Sequence, residues 1–210
     1  MNQEERTHRS RSSILDAALA LFSTRGFRAT SMRDIAERAH VSIGNLYHHF
    51  EDKDTIFREL LDAFWRVVDT PDFPVTRAFT SGRFPENLEA IGHAAQESIA
   101  KFRPYVRLIY VDVVEFEGSH IRKFYREMAG LFERFLALHK DEIRLEGRLR
   151  PEIPAADAVM FAMYTFLQHF AVELVFGVPD QYGKAADQRI REIADIMRHG
   201  IEVPPAPARA

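Results

Sequence analysis

A ten-residue segment, VSIGNLYHHF, combines side chains whose hydrogen-bonding chemistry suits the surface of a nucleic acid. Asn45 can pair with the N6 and N7 edge of adenine. The hydroxyl groups of Ser42 and Tyr47 and the ring of His48 suit phosphate oxygens. Gly44 falls inside a short predicted helix, where glycine is locally unfavourable, and would let the backbone approach base edges and phosphates closely. The pattern indicates a surface that contacts DNA.

Two short helices are predicted to position these side chains. In SMRD, Ser31 and Asp34 have the spacing of a capping box, which predicts that a helix begins at Ser31. After a turn of three to four residues, a second helix is predicted over about 42–48, with Ser42 as its N-cap. Two helices joined in this way form a helix-turn-helix, whose second helix enters the major groove.

The second helix is too short to be stable alone, so its apolar side chains must dock it onto the neighbouring helices. We expect Ile43 or Leu46, and then Phe50, to provide this contact. Arg33 on the preceding helix has the reach for a guanine edge or a phosphate. Lys53 lies just past the start of the next predicted helix and can place an ammonium group where backbone N–H groups already favour a phosphate.

Charge is distributed unevenly along the chain. Residues 6–50 contain seven arginines and three acidic residues, a net charge of +4, whereas the whole chain of 210 residues carries −3. The remainder therefore carries −7. A basic N-terminal module on an acidic body is typical of nucleic-acid binding, and a basic solvated face is the alternative interpretation.

Composition limits the class of protein further. The apolar fraction of 46% is enough to bury a core, and the chain contains no cysteine. Disulfides, thiolate metal sites and cysteine nucleophiles are therefore excluded. The N-terminal sequence MNQEERTHRSRSS is polar and does not resemble a signal peptide, so we expect a cytoplasmic protein.

Apolar residues recur at spacings of three and four, which predicts an all-α fold of nine helices. The first helix ends near Gly26, which suits a left-handed C-terminal cap. The helix-turn-helix pair and the segment DKDTIFRELLDAFWRVVD follow it. The other five helices are predicted over roughly 85–102, 104–116, 119–146, 154–176 and 184–200.

Two domains and a tail are expected. Residues 1–52 form the helix-turn-helix domain, beginning with a flexible arm of residues 1–9, and residues 53–201 form a helical body. Residues 202–210 are expected to be a disordered tail. The segment TPDFPVTRAFTSGRFP is the clearest break in composition and is predicted to be a linker or a short irregular element.

The last two predicted helices resemble half of a symmetric four-helix dimer interface. The helix over 154–176 is apolar on every face, and polar residues within it argue against a membrane span. The helix over 184–200 carries an apolar stripe of Ile190, Ile193, Ala194 and Met197. The alternative is that this stripe packs only within its own subunit.

The run GFRATSMRDIAERAHVSIGNLYHHFEDKDTIF closely resembles the N-terminal signature of the TetR family of bacterial transcriptional regulators. The matching pieces are GF before TS, DIA, VSIGNLYHHF and Lys53. His40 occupies a turn position where the family usually has glycine, so a left-handed backbone is expected there, which histidine tolerates better than most residues. By this resemblance, the positions that touch DNA are Ser31, Arg33, Ser42, Gly44, Asn45, Tyr47, His48 and Lys53.

The resemblance also implies the function. We expect a homodimeric repressor that binds a palindromic operator and is released by a small lipophilic effector held in the body. An apolar pocket with a few polar points would suit such an effector. Its candidate residues are Phe102, Tyr105, Phe124, Met128, Phe132, Met160, Tyr164, Gln168 and His169, each of which could equally be plain core.

Other functions have weaker support in the sequence. A DNA-binding activator or a regulator without a ligand would have the same head. A helical-bundle enzyme or ligand carrier is a further alternative, but a di-iron site needs two Glu-x-x-His pairs on inward faces. The two such pairs, ERTH and EGSH, fall in the polar arm and at a predicted turn. We therefore predict no catalytic residues, no metal site, no cofactor and no membrane partner.

Overall fold

The computed structural model describes residues 3–139, 149–179 and 183–201. Across these ranges the chain forms ten α-helices, so the all-α prediction is confirmed. The ninth of these helices, Ala155–Phe170, continues directly into a π-helical turn, Ala171–Val175. The helices are α1 Gln3–Arg25, α2 Met32–Ala39, α3 Ile43–His49, α4 Lys53–Val68, α5 Pro74–Thr80, α6 Leu88–Lys101, α7 Arg103–Phe116, α8 Arg122–Leu138, α9 Ala155–Phe170 and α10 Ala186–Ile201.

The chain forms two compact units. The first contains residues 1–69 and 104–124, and the second contains residues 70–103 and 125–210. The sequence instead predicts a division at residue 52. The difference arises because α4 packs on α1, and because Leu108 and Ile121 are buried in the core of the first unit.

An aromatic cluster lies in the core of the first unit. Phe22 and Phe57 are fully buried, and their ring centroids are 5.6 Å apart. Phe27 and Phe116 extend the cluster, with a centroid separation of 4.6 Å. Offset and edge-to-face aromatic pairs of this kind add stabilisation beyond their buried area. The cluster joins α1, α4 and α7 beneath the helix-turn-helix.

The second unit is built around α6. Helix α6 packs on α5, α9 and α10, and its residues Leu88, Ile91 and Ala95 are fully buried. Its polar edge is tied to α10 by Arg198, whose guanidinium lies 3.4 Å from Glu89 and donates to the carbonyl of Glu86.

Two segments are helical where the sequence predicts otherwise. Helix α1 begins at Gln3, whereas a flexible arm is expected over residues 1–9. The two glutamates and two arginines of this segment are good helix formers, and they continue a helix whose later turns bury one side. Helix α5 lies in the predicted linker because Pro74 occupies its first turn, where the fixed φ of proline favours a helix.

The predicted helix over 119–146 is shorter in the structure. Helix α8 begins at Arg122 and ends at Leu138. The final residues of that prediction, 140–146, lie outside the described residues, as does the predicted tail over 202–210.

One segment, Ala155–Val175, is long and apolar enough to cross a membrane by length and composition alone. Its mean hydropathy is 1.4, and buried core helices pass the same test. Val159, Ala162 and Phe166 on this helix are fully buried within the second unit. One face of α9 therefore packs in the core of the second unit, and 33% of the apolar segment is buried there.

Candidate nucleic-acid interface

The helix-turn-helix is formed by α2, a turn at residues 40–42, and α3. The predicted capping box is confirmed, because the backbone N–H of Asp34 donates to Ser31 Oγ at 3.1 Å and Asp34 Oδ2 accepts the Ser31 N–H at 2.8 Å. His40 is left-handed, with φ 56° and ψ 40°, as expected from its place in the turn. Gly26 is also left-handed at the end of α1, with φ 87°.

Helix α3 is docked through one side. Leu46 is fully buried and Phe50 is 2% exposed, whereas Ile43 is 40% exposed. Of the two docking residues that the sequence left open, Leu46 therefore provides the contact. The guanidinium of Arg11 lies 4.5 Å from the centroid of the Phe50 ring and also pairs with Glu59, which connects the end of α3 to α1 and α4.

The other side of α3 carries the predicted DNA-contacting residues. Ser42, Gly44, Tyr47 and His48 are exposed, and Asn45 is half-buried. A Cβ atom at Gly44 would meet no other atom within 4 Å. The fold itself therefore does not require glycine at this position, and the space in front of it is open to a partner.

A surface concavity of about 720 Å³ opens between α2, α3 and the start of α4. Four of the eight predicted DNA-contacting residues line it: Ser31, Arg33, Tyr47 and Lys53. The structure thus brings together residues from three elements that are separated in the sequence. Arg28 lines the same concavity and was missed by the sequence interpretation, although its place in a basic turn before Ser31 was a signal.

Lys53 has a geometry that the sequence did not reveal. Its ammonium group donates to the carbonyl oxygens of Phe27 and Thr30, both at 2.9 Å, and lies 4.3 Å from the centroid of the Phe27 ring. An ammonium has three N–H donors, so these contacts leave one for a phosphate. Lys53 therefore anchors the turn before α2, and its contact with DNA stays a prediction.

The two serines of the set serve as N-caps. Ser42 Oγ accepts the backbone N–H of Asn45 at 3.1 Å, while the hydroxyl of Ser31 donates to Asp34. The hydrogen bonds from the hydroxyl and then the backbone N–H of Ser31 lower the pKa of Asp34. Asp34 is therefore ionised at neutral pH, where its charge favours the N-terminus of α2.

The predicted ligand-binding residues are divided between the two units. Tyr105 and Phe124 lie in the first unit, where they stack on Phe64 and Trp65 with centroid separations of 5.3 and 3.8 Å. The other seven residues, Phe102, Met128, Phe132, Met160, Tyr164, Gln168 and His169, lie in the second unit.

Within the second unit, the structure brings two of these residues into direct contact. The hydroxyl of Tyr164 contacts the sulfur of Met128, whereas Gln168 is exposed. Burial, and to a lesser degree the positive charge of Arg189, lowers the pKa of His169. A neutral imidazole is the kind of polar group that the sequence predicts within an otherwise apolar ligand pocket. The pocket itself stays a prediction.

Metal chemistry has no support in the described ranges. No group of three or more His, Cys, Asp or Glu side chains there could hold a metal ion. The His120 ring, from the EGSH sequence, instead lies 2.5 Å from the carboxylate of the buried Asp112. This pair holds the turn between α7 and α8.

These features define a class of protein: the chain carries a helix-turn-helix head with an exposed second helix and, beside it, a concavity lined by both basic and acidic side chains. Residues 14–60 match the family model for bacterial regulatory proteins of the tetR family. The N-terminal part of the chain is therefore similar to the DNA-binding domain of the tetR family.

Known relatives are similar to part of this chain. The transcriptional repressor KstR2 of Mycobacterium tuberculosis is 41% identical over 91 residues, which cover 40% of this chain and 44% of KstR2. KstR2 of Rhodococcus jostii is 48% identical over 54 residues, or 26% of each chain. The matched part thus spans less than half the length of these relatives, which are named as transcriptional repressors and not as enzymes.

The fold similarity extends over both units. The solved structure of the ketosteroid transcriptional regulator KstR2 of M. tuberculosis has a TM-score of 0.56 and 25% identity to this chain. The aligned part covers 92% of this chain and 95% of the KstR2 structure. The similarity to this solved regulator therefore extends along nearly the whole chain.

Proposed function

We propose that this chain is a ligand-responsive transcriptional repressor that binds a palindromic operator as a homodimer in the cytoplasm. The observation that carries the proposal is the grouping of Ser31, Arg33, Tyr47 and Lys53 around one concavity beside the exposed side of α3. The names of the relatives that share this head, which are transcriptional repressors, support the choice of repressor.

DNA recognition is divided between two kinds of contact. On α3, Asn45 reads a base edge in the major groove, and Gly44 lets the helix backbone approach closely. Around the concavity, Arg33, Tyr47 and the remaining donor of Lys53 contact phosphates, which position the head without reading sequence. The head thus has the chemistry for both sequence reading and orientation.

Dimerisation through α9 and α10 is supported by the apolar side chains that each helix leaves exposed. The predicted stripe of α10 is not available, because Ile190, Ile193, Ala194 and Met197 are all buried within their own unit. Exposed apolar residues lie elsewhere: Phe161 and Tyr164 on α9 are 58% and 40% exposed, and Ile196 on α10 is 67% exposed. We infer that these surfaces meet a second copy.

Operator spacing follows from a dimer of this kind. Two heads on a symmetric dimer enter successive major grooves when they lie about 34 to 36 Å apart. An inverted repeat is therefore the expected form of the operator.

A small lipophilic effector is the expected signal. The similar regulator KstR2 is described as a ketosteroid transcriptional regulator, which supports a lipophilic class of ligand without fixing its identity. Effector and DNA binding would be reciprocally coupled, because a ligand that favours one spacing of the heads lowers affinity for DNA that needs another.

Selection from random duplex DNA tests the proposal. The purified protein is used to enrich duplexes over several rounds, and the mass of the complex is measured by light scattering. We expect an enriched inverted repeat bound by one dimer or by a pair of dimers. Failure of the folded protein to enrich any sequence across a range of salt concentrations would contradict the proposed function.

A further inference from the structure

Glu115 contacts the turn that precedes the helix-turn-helix, although it lies 87 to 88 residues further along the chain. It lies in the last turn of α7, yet its carboxylate accepts two consecutive backbone N–H groups of the turn between α1 and α2. Phe27 N–H donates to Oε1 at 2.9 Å, and Arg28 N–H donates to Oε2 at 2.7 Å. The Glu115 side chain is only 16% exposed. Charge-assisted hydrogen bonds in such a setting are stronger than those between neutral groups.

Gly26 allows the carboxylate to come this close. A Cβ atom at Gly26 would lie 2.6 Å from Glu115 Oε1, closer than a carbon and an oxygen can approach. The left-handed backbone of Gly26 also turns the next two N–H groups toward α7. The turn is therefore shaped around an anionic group.

The same turn is held from its opposite, carbonyl side. Lys53, the first residue of α4, donates to the carbonyl oxygens of Phe27 and Thr30. A carboxylate from α7 thus holds the N–H groups, while an ammonium from α4 holds the carbonyl groups. Ser31, the N-cap of α2, follows immediately, so the direction in which α2 begins is set by these two contacts.

We propose that Glu115 is a positioning residue for DNA binding, acting through the turn at residues 26–28 to orient α2 and the recognition helix α3. The inference rests on the proposed function. Glu115 is not one of the buried apolar residues that join α1, α2 and α3, so we expect that core to remain when Glu115 is replaced. What it controls is the angle at which the head meets DNA.

A comparison of specific with non-specific DNA binding distinguishes this positioning role from a purely structural role. Reading bases in two successive grooves requires an accurate head orientation, whereas sequence-independent attraction to phosphates does not. We expect Glu115→Gln to weaken binding to the duplex enriched by the wild-type protein roughly tenfold, since the loss of one charge-assisted hydrogen bond corresponds to about this factor. Binding to a scrambled duplex of the same composition should change little.

The matched control is Glu117→Gln, which removes the same charge from an exposed residue two positions further along. Dissociation constants for both duplexes are measured by fluorescence anisotropy, well below the melting temperature of each variant. A ratio of specific to scrambled affinity in Glu115→Gln equal to that of Glu117→Gln would overturn the proposal.

A second variant keeps the proposal testable if Glu115→Gln does not fold. Glu115→Asp keeps the charge but is too short to reach both N–H groups, and we expect it also to lower the ratio. If both variants were unfolded at low temperature, the proposal would be wrong, because the fold itself would need Glu115. Failure of the wild-type protein to enrich any duplex would instead contradict the proposed function, and this would be known before any variant was tested.

Discussion

Gly44 is the residue at which fold and function make opposite demands. No atom lies within 4 Å of the position that its Cβ would occupy, so the fold would accept alanine there. We predict that Gly44→Ala stabilises the protein by about 0.5 to 1 kcal/mol, because glycine costs that much in a helix. The same methyl group would project into the space where the backbone approaches DNA, so affinity for the selected duplex should fall.

Thermal unfolding and DNA titration of the same Gly44→Ala sample test this pair of effects. Gly200→Ala is the control, since no other side chain or backbone among the described residues comes within 4 Å of its Cβ position either, and Gly200 lies near the end of α10. It should leave DNA affinity unchanged. A Gly44→Ala variant that binds DNA as tightly as the wild type would remove Gly44 from the interface.

Asn45 is predicted to determine one base of each half-site. Replacing it with alanine removes the paired hydrogen bonds to a base edge, at a cost of about 1 to 3 kcal/mol for the preferred base at that position. Binding-site profiles of Asn45→Ala and wild type, determined by the same selection, should differ at a single half-site position. Uniform weakening at every position would show that Asn45 does not read sequence.

Local residue patterns predicted much of the site. The capping box at Ser31 and the exposed side of α3 follow from short-range spacing, the left-handed His40 follows from the resemblance to the TetR family, and all three are present. The anchoring roles of Lys53 and Glu115 could not be predicted in this way. Their partners in the turn before α2 are 23 to 26 residues away for Lys53 and 87 to 88 for Glu115, and no local pattern encodes such pairs.

At the scale of elements, α4 connects the recognition helix to the turn that precedes α2. Its first residue, Lys53, contributes two charge-assisted hydrogen bonds. We predict that Lys53→Met lowers the free energy of unfolding by about 1 to 3 kcal/mol. If the remaining donor contacts a phosphate, the slope of log affinity against log salt concentration should also decrease by about one.

Lys123→Met is the matched control, because Lys123 is an exposed lysine of the same unit on α8. Urea unfolding and DNA titrations at several salt concentrations separate the two roles of Lys53. A lowered stability with an unaltered salt slope would leave Lys53 as an anchor of the turn only.

Element boundaries show where sequence patterns fail. Helices α2 and α3 have strong caps and were predicted to within a residue or two. The first turns of α1 carry no apolar stripe, and α5 lies in a segment rich in proline and glycine, so neither gives a helical pattern. Both depend on packing or on proline at a helix start, which a periodicity argument does not detect.

At the scale of the whole molecule, the exposed apolar surface of α9 and α10 is the proposed dimer contact. Phe161 is 58% exposed, and a charge at this position would be buried without a partner in a dimer. We predict that Phe161→Glu gives a monomer by light scattering and loses most of its affinity for the full inverted repeat.

An exposed apolar residue on another helix provides the comparison. Val114 on α7 is 79% exposed, and Val114→Glu should leave the mass unchanged. If Phe161→Glu also stayed a dimer, the contact would lie on a different surface. The buried stripe of α10 shows why this surface was not predicted, since an amphipathic pattern does not tell a contact within a subunit from one between subunits.

Methylation interference on the selected duplex tests the central claim most directly. Dimethyl sulfate modifies guanine N7 in the major groove and adenine N3 in the minor groove, the positions that distinguish the two modes of reading. The account predicts interference by guanine N7 methylation in two clusters whose centres lie one helical turn apart, about 10 to 10.5 base pairs, or a whole multiple of it. Interference from adenine N3 alone, or from a single cluster, would contradict a dimer that reads the major groove with α3.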